Sequence, residues 1–262
     1  STMGHHDKAL LNNQKALDVA EQILPTPNLN LAGLYMNMAI TYNCLTLCDI
    51  ALNYYDRCRS IYEQMLSPQH PDLASLYMNM GVNYHDLTQY SISLDYYERC
   101  RIIWKKTLPS EHPDWAGFYM NIALTYYGLT QYNTALTYYE RCQAIWEQTL
   151  STQHPNLALL YMNMGSSYLG LTQYDKALNY YECCCTIWEQ ILPAQHPDLA
   201  MLYMNMGNVY LDLVNYDTAL KYYERCRAIR EQMLSAQHPY LAKLYMNMGS
   251  IYNNLTQYDI AL

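Results

Sequence analysis

The stretch Tyr77-Met78-Asn79-Met80 recurs along the 262-residue chain at a constant spacing of 42 residues, with no insertion between copies. Its copies begin at Tyr35, Tyr77, Tyr161, Tyr203 and Tyr245, and Tyr119-Met120-Asn121-Ile122 fills the remaining place. A His-Pro pair follows the same period, at His70, His112, His154, His196 and His238. Because self-similarity at one period is the signature of a repeat architecture, we predict an array of similar units in place of one or two globular domains.

Each period contains two amphipathic helical patterns, here called helix A and helix B. In the second copy, apolar residues recur at three- and four-residue intervals from Leu73 to Leu87 and again from Ile92 to Leu108. Residues 109–114 then break the pattern, and Pro113 suits the first turn of a new helix. Such a short hairpin cannot bury its apolar face alone, so neighbouring units must stack and share a core. The sequence therefore predicts an all-α solenoid of stacked antiparallel helix pairs.

The residues that recur within each unit resemble those of the tetratricopeptide family. The family's pattern of aromatic, Leu, Gly, Tyr, Ala, aromatic and Ala is matched by Tyr203, Met206, Gly207, Tyr210, Ala219, Tyr223 and Cys226. The 42-residue period and the His-Pro-Asp linker resemble the kinesin light chain variety, over essentially the whole chain. This resemblance implies a right-handed superhelical solenoid. Two departures are Ala39 and Ala123 in the glycine slot, and cysteine in the final slot at Cys58, Cys100, Cys142, Cys184 and Cys226.

We expect a single tetratricopeptide array over residues 1–262. It would comprise helix B of a partial repeat at 7–24, full repeats at 32–73, 74–115, 116–157, 158–199 and 200–241, and a partial repeat at 242–262, with helix A near 239–255. Both ends fall at the same phase of the repeat, as in an excised segment. Because a repeat protein normally needs a polar capping helix, the uncapped end predicts end-to-end self-association.

Charge and composition exclude several classes of partner. The formal net charge is -8, whereas nucleic-acid binding needs clustered Lys and Arg, so no nucleic-acid partner is expected. Every apolar stretch is interrupted well before the roughly 18 residues of a membrane helix, so no membrane association is expected. Nine cysteines without an apolar leader segment are typical of reduced thiols in a cytoplasmic protein.

By resemblance to the family, helix A lines the concave surface and the second residue after the aromatic start contacts bound peptide. That residue is asparagine in every repeat: Asn37, Asn79, Asn121, Asn163, Asn205 and Asn247. These amides could pair with an extended peptide backbone and would resemble the asparagine ladder of the O-linked N-acetylglucosamine transferase superhelix. The alternative is that each asparagine bonds only to backbone within its own repeat.

Other positions of the expected groove differ in chemistry between repeats. Methionine precedes each asparagine, and Met78, Met120, Met162 and Met204 would offer an adaptable apolar surface, or else pack in the core. Tyr127 and Asn208 are further candidate contacts. One slot, called here the variable slot, changes from apolar to polar along the chain, in the order Ile40, Val82, Leu124, Ser166, Asn208 and Ser250. Lys243 is the sole base placed near this surface, so the sequence does not favour an acidic ligand.

Neither metal binding nor catalysis is predicted. Equivalent histidines in stacked repeats would lie at least about 10 Å apart, so they are expected to brace the turns. Cys183, Cys184 and Cys185 point in different directions on a helix and cannot converge on one zinc ion. Arg57, Arg99, Arg141 and Arg225 are interpreted as outer-face charges of helix B, some bridging to a neighbouring repeat.

The pattern lacks a nucleophile beside a base, a glycine-rich phosphate loop and an isolated carboxylate pair. The sequence therefore favours a non-catalytic scaffold, without cofactor, that binds a protein or peptide ligand through the asparagines and neighbouring apolar side chains. One alternative is a structural spacer or self-associating element. Another is a regulatory segment of a larger enzyme or signalling protein.

Overall fold

The computed structural model describes the backbone of residues 2–25, 27–233 and 239–261, and the side chains of residues 8–25, 27–233 and 239–255. Within these ranges there are twelve α-helices and no strand. The helices are α1 (Thr2–Ile23), α2 (Leu29–Cys44), α3 (Cys48–Met65), α4 (Pro71–Asp86), α5 (Tyr90–Thr107), α6 (Asp114–Gly128), α7 (Tyr132–Thr149), α8 (Pro155–Gly170), α9 (Tyr174–Ile191), α10 (Pro197–Asp212), α11 (Tyr216–Met233) and α12 (Pro239–Ala261).

The chain divides into two units, residues 1–131 and 132–262. In the first unit consecutive helices from α1 to α6 pack on one another, and in the second unit those from α7 to α12 do the same. The A helices of successive repeats also touch, as α2 touches α4, α4 touches α6, and α8 touches α10. These contacts confirm the predicted all-α repeat solenoid of helix pairs.

Two helices differ in length from the sequence prediction. Helix α1 begins at Thr2, before the predicted start near residue 7, and α12 continues to Ala261, past the predicted end near 255. Neither extension contains proline, so the local sequence does not interrupt the helical backbone. The repeat limits beginning at residue 32 fall inside the first turn of the A helices and remain a prediction.

The His-Pro pairs begin the A helices. His70, His154 and His196 are N-cap residues whose Nδ1 atoms accept hydrogen bonds from the backbone N–H two residues later, at 3.2, 3.1 and 3.2 Å. His112 Nδ1 accepts from Asp114 N at 3.3 Å. A side-chain acceptor at this position satisfies one of the free N–H groups of the first turn. The predicted bracing role is confirmed for these four histidines, and His238 lies outside the described residues.

The A helices α2, α4, α6, α8 and α10 are each followed by a residue in the left-handed region of backbone space. Thr46 N donates to Asn43 O at 2.8 Å, and Leu47 N donates to Tyr42 O at 3.0 Å, which is the Schellman arrangement. The φ angles of the left-handed residues lie between 57° and 60°, at Thr46, Thr88, Thr130, Thr172 and Val214. Glycine is the usual residue here, and β-branched residues seldom adopt this conformation. These turns therefore depend on their hydrogen bonds and on the packing of the following helix B.

The glycine slot of helix A allows a tyrosine of helix B to lie against the helix A backbone. A Cβ atom at Gly81, Gly165 or Gly207 would lie between 2.4 and 2.6 Å from a ring atom of the tyrosine of the same repeat, which is less than real contacts allow. These rings are almost fully buried, at Tyr55, Tyr97, Tyr139, Tyr181 and Tyr223. Ala39 and Ala123 occupy the slot in two other repeats and are also buried, so a methyl group is accommodated there.

Gly81→Ala is expected to lower the free energy of unfolding by about 1–3 kcal/mol, since the added methyl group must displace the Tyr97 ring. Gly117→Ala is the matched control, because no atom lies within 4 Å of the added Cβ there. It should raise stability by about 0.5–1 kcal/mol through helix propensity. Urea unfolding of the two variants measures both effects, and equal changes would contradict the packing role of Gly81.

Candidate functional site

The A helices of neighbouring repeats share a surface, called here the helix A face. It is defined by Met36, Asn37 and Ile40 and by the residues at multiples of 42 positions further along. Asn37 is exposed on this face. The other five asparagines are half-buried: Asn79, Asn121, Asn163, Asn205 and Asn247. A ligand lying on either unit would meet their polar groups at regular intervals.

Some of these asparagines already make hydrogen bonds within the chain. Asn79 Nδ2 donates to Ser75 O and Asn163 Nδ2 donates to Leu159 O, each at 2.9 Å in its own helix. Asn247 Nδ2 donates to Asn208 Oδ1 at 3.1 Å in the neighbouring repeat. The bonds of Asn79 and Asn163 agree with the alternative to the ladder, in which each asparagine bonds to backbone of its own repeat. Each carboxamide still has an oxygen and a second N–H that these bonds do not use.

The predicted apolar contacts divide into buried and accessible side chains. Met120 and Met162 are buried, which favours the core-packing interpretation for these two. Met78 and Met204 are half-buried, and Tyr127 is exposed. The accessible apolar surface of the helix A face is therefore smaller than the sequence pattern suggested.

The polar residues of the variable slot bond to the buried tyrosines of helix B. Ser166 Oγ lies 3.1 Å from Tyr181 OH, and Tyr223 OH donates to Asn208 Oδ1 at 2.9 Å. A buried hydroxyl needs a partner, and these residues provide one. No sequence pattern indicated these bonds, because Tyr181 and Tyr223 belong to another helix and recur in every repeat.

A cavity of about 130 Å³ lies between α10, α11 and α12. Its lining consists of Ala200, Met201, Met204, Asn205, Asn208, Cys226, Arg230, Tyr240 and Lys243. It brings together three predicted contact residues, Met204, Asn205 and Asn208, with side chains that sequence reasoning did not assign. Arg230 on helix B is the most unexpected of them, because that helix was interpreted as the outer layer.

Two polar pairs, each with one buried member, connect neighbouring repeats in the first unit. Asn83 Nδ2 donates to Asn43 Oδ1 at 2.8 Å, and His85 Nδ1 lies 3.0 Å from Thr125 Oγ1. Thr125 Oγ1 uses its hydrogen to donate to Asn121 O. The Thr125 oxygen therefore accepts from His85, whose neutral ring carries its hydrogen on Nδ1. Burial is the main cause that lowers the pKa of the His85 ring from its ordinary value, and the nearby Asp86 carboxylate opposes this.

The stability of the protein should fall on mild acidification because of His85. Its pKa is lower in the folded state, so the unfolded chain takes up the proton more readily as the pH falls below about 6.5, and unfolding is favoured. His85→Asn places the residue found at the equivalent Asn43 and should reduce the loss of stability between about pH 7 and pH 5. Parallel urea unfolding at several pH values measures this, and identical pH profiles would contradict it.

The arginines of helix B bridge to the preceding repeat through a Glu-Tyr-Arg cluster. Glu21 Oε1 accepts from Tyr35 OH at 2.9 Å and from Arg57 at 2.8 Å. Glu189 accepts from Tyr203 OH at 2.8 Å and pairs with Arg225. The expected bridging is thus confirmed for Arg57 and Arg225. Such exposed ion pairs contribute little to stability, about 0–1 kcal/mol each.

All nine cysteines are free thiols. The five in the repeated slot are buried, and burial raises the pKa of Cys58 and Cys100 to about 12 and of Cys226 to about 11. They are packed side chains with little thiolate character. Within the described residues, no group of three His, Cys, Asp or Glu side chains could hold a metal ion. Nor is any helix there both long and apolar enough to cross a membrane.

A tetratricopeptide repeat profile matches residues 30–106, 116–190 and 198–262, which together are most of the chain. The protein belongs to the tetratricopeptide repeat family. This match confirms the tetratricopeptide family that the recurring residues suggested. No curated protein sequence matches this tetratricopeptide chain.

Solved structures share the tetratricopeptide fold at low sequence identity. BtubC (BKLC) from P. vanneervenii is 20% identical, with a TM-score of 0.71 over 89% of this chain and 94% of that one. A Podosopora anserina structure, described as nearly identical TPR-like repeats of a putative kinesin light chain, is 20% identical, with a TM-score of 0.66 over 80% and 100%. The apo form of RapI is 18% identical, with a TM-score of 0.68 over 95% and 68%.

Proposed function

We propose that this tetratricopeptide protein is a non-catalytic scaffold that holds a polypeptide segment on its helix A face. The recurrence of a carboxamide at the same place in every repeat carries the proposal, because it offers a ligand hydrogen-bonding groups at regular intervals. Residues that recur in all repeats are explained by architecture or by this face, and none forms a catalytic constellation. A cytoplasmic location fits the free thiols.

The chemistry of the helix A face suits an extended segment. Asn79 and Asn163 each use one N–H within the helix, and the remaining N–H and oxygen can pair with the C=O and N–H groups of a peptide backbone. Met78 and Met204 can adjust to different apolar side chains. Backbone pairing supplies affinity, and the variable slot from Ile40 to Ser250 supplies specificity.

Replacing three asparagines with alanine should weaken peptide binding without unfolding the scaffold. Peptides selected from a randomised display library would be measured against Asn121→Ala, Asn163→Ala and Asn205→Ala combined. We expect at least about a tenfold loss of affinity, since several backbone hydrogen bonds at about 0.5–1.5 kcal/mol each are removed.

The matched control removes three exposed amides from helix B, with Gln64→Ala, Gln148→Ala and Gln190→Ala. It should bind as the parent protein does, and circular dichroism should show both triple variants folded. An unchanged affinity in the asparagine variant would contradict the proposed mechanism, and a library that yields no binders would contradict peptide binding itself.

A structural role through end-to-end association is the second candidate, supported by side chains of α12. Tyr245 and Met246 are 44% and 74% exposed, whereas the equivalent Tyr203 is 4% exposed. Packing of another apolar helix against α12 would remove that surface from water. The predicted role as a regulatory segment of a larger enzyme stays a prediction.

Light scattering over a range of protein concentrations tests the association. The mass should grow with concentration in the parent protein and stay constant in Met246→Lys, because a charge in the contact opposes its burial. Substitution of the exposed Gln190 with Lys on helix B is the control and should leave association intact. A constant mass in all three would contradict the second candidate.

A further inference from the structure

The Glu-Tyr-Arg cluster occupies three slots that recur with the repeat, on two successive B helices and the A helix between them. At four junctions all three slots lie within one unit of the chain. The first two slots hold Glu21 with Tyr35, Glu63 with Tyr77, Glu147 with Tyr161, and Glu189 with Tyr203. The third slot holds Arg57, Arg99, Cys183 and Arg225 in the same order. At the junction of α7, α8 and α9, cysteine therefore replaces the arginine of the other three.

Two complete clusters show how the arginine is held. The Arg57 guanidinium carbon lies 4.2 Å from the centre of the Tyr35 ring, and Arg57 donates to Glu21 Oε1 at 2.8 Å. The Arg225 guanidinium carbon lies 3.9 Å from the centre of the Tyr203 ring, and this group pairs with the glutamate of its own cluster. The tyrosine face and the carboxylate thus hold one guanidinium together, through a cation–π contact and an ion pair.

The glutamate and the tyrosine keep this geometry where the arginine is replaced. Tyr161 OH donates to Glu147 Oε1 at 3.0 Å, and the equivalent bonds in the other three clusters are 2.8–3.1 Å long. Glu147 Oε1 also accepts from Gln143 of the same helix at 2.7 Å. The carboxylate and the ring are therefore held in place without a cation between them.

No other cation of the described chain takes the place of the arginine. Among the described residues, Glu147 forms no salt bridge, and neither Lys nor Arg lies over the Tyr161 ring. Burial and the Glu147 carboxylate raise the pKa of the Tyr161 hydroxyl, and no cation of the described side chains opposes them. In the complete clusters the arginine acts to lower the pKa of the tyrosine.

The place beside Glu147 is open to solvent. Glu147 and Cys183 are exposed and Tyr161 is half-buried. The cysteine side chain is much shorter than that of arginine, so it does not cover the carboxylate or the ring as arginine does.

A second tyrosine ring lies beside the first. The centres of the Tyr161 and Tyr180 rings are 6.1 Å apart, and the rings are tilted by 40°. The equivalent rings, Tyr77 and Tyr96, lie 5.8 and 5.5 Å from the Arg99 guanidinium carbon. A guanidinium beside Glu147 can therefore contact two aromatic rings.

We propose that Glu147, Tyr161 and Tyr180 bind the arginine side chain of a partner polypeptide. The guanidinium of the partner takes the place that Arg57 and Arg225 hold in their own clusters. Arginine suits this site better than lysine, because its planar group stacks on a ring and donates two parallel hydrogen bonds to a carboxylate. None of the three residues belongs to the helix A face, so this site is separate from the proposed function.

Saturation-transfer NMR tests the site with two small probes of the same shape. N-acetyl-arginine amide carries the guanidinium, and N-acetyl-citrulline amide carries a neutral urea group in its place. Each probe would be titrated with the full chain. We expect the arginine probe to bind about three- to tenfold more tightly, because the neutral probe loses the cation–π contact and the ion pair.

A matched pair of variants at one exposed position decides where the probe binds. Cys183→Arg supplies the guanidinium from the chain itself and should abolish the preference for arginine over citrulline. Cys183→Ser leaves the site open and should retain it. Glu147→Gln removes the carboxylate and should reduce the preference. Asp95→Asn removes an exposed carboxylate in the other unit and should leave the preference unchanged.

Equal binding of the two probes, or a preference that persists in Cys183→Arg, would overturn the inference. Tighter binding of N-acetyl-lysine amide than of the arginine probe would overturn the guanidinium assignment in favour of an ammonium group. The combined asparagine variant of the helix A face should keep the preference, and its loss there would contradict a separate site. Failure of the display library to yield peptides would leave this site unaffected, because the probes bind away from the helix A face.

Discussion

In three repeats, the distance between the two helices depends on a tyrosine ring of helix B that lies against the backbone of helix A. The ring fits because the opposing residue is glycine at Gly81, Gly165 and Gly207, where a Cβ atom would overlap it. The same tyrosine projects its hydroxyl toward the helix A face, where Ser166 and Asn208 contact it in the second unit. This tyrosine thus sets the distance between helix A and helix B. Its hydroxyl also engages polar side chains of the helix A face, so those groups are already bonded before any ligand arrives.

The residues at the junctions between repeats vary more than the residues that define the repeat. Asn83 pairs with Asn43 and Thr125 pairs with His85 in the first unit, while the equivalent positions in the second unit hold Leu169 with Val209 and Leu211 with Ile251. In the first unit both residues of each pair are polar, and in the second unit both are apolar. A buried polar group without its partner would be costly, so each repeat is matched to its own neighbour.

Function in a repeat protein is expected where the repeat is broken, because residues common to all units are needed for stacking. The role proposed for the asparagines of the helix A face would be an exception, since these residues recur in every repeat. The repeat is broken at the cavity beside Arg230, where Tyr240 replaces the Asp or Asn of the other repeats and Lys243 replaces a small or apolar residue.

The sequence by itself determined the number and order of the helices, the stacked repeat and the position of the asparagines, because a fixed 42-residue period and helical periodicity are properties of the linear chain. Only the tertiary structure decided which side chains remain accessible. Met78 and Met120 occupy the same slot, yet Met120 is buried and Met78 is half-buried. Likewise Arg230 and Lys243 lie in different helices and meet only when α10, α11 and α12 pack together, since burial and charge proximity arise from packing across the chain and not from spacing along it.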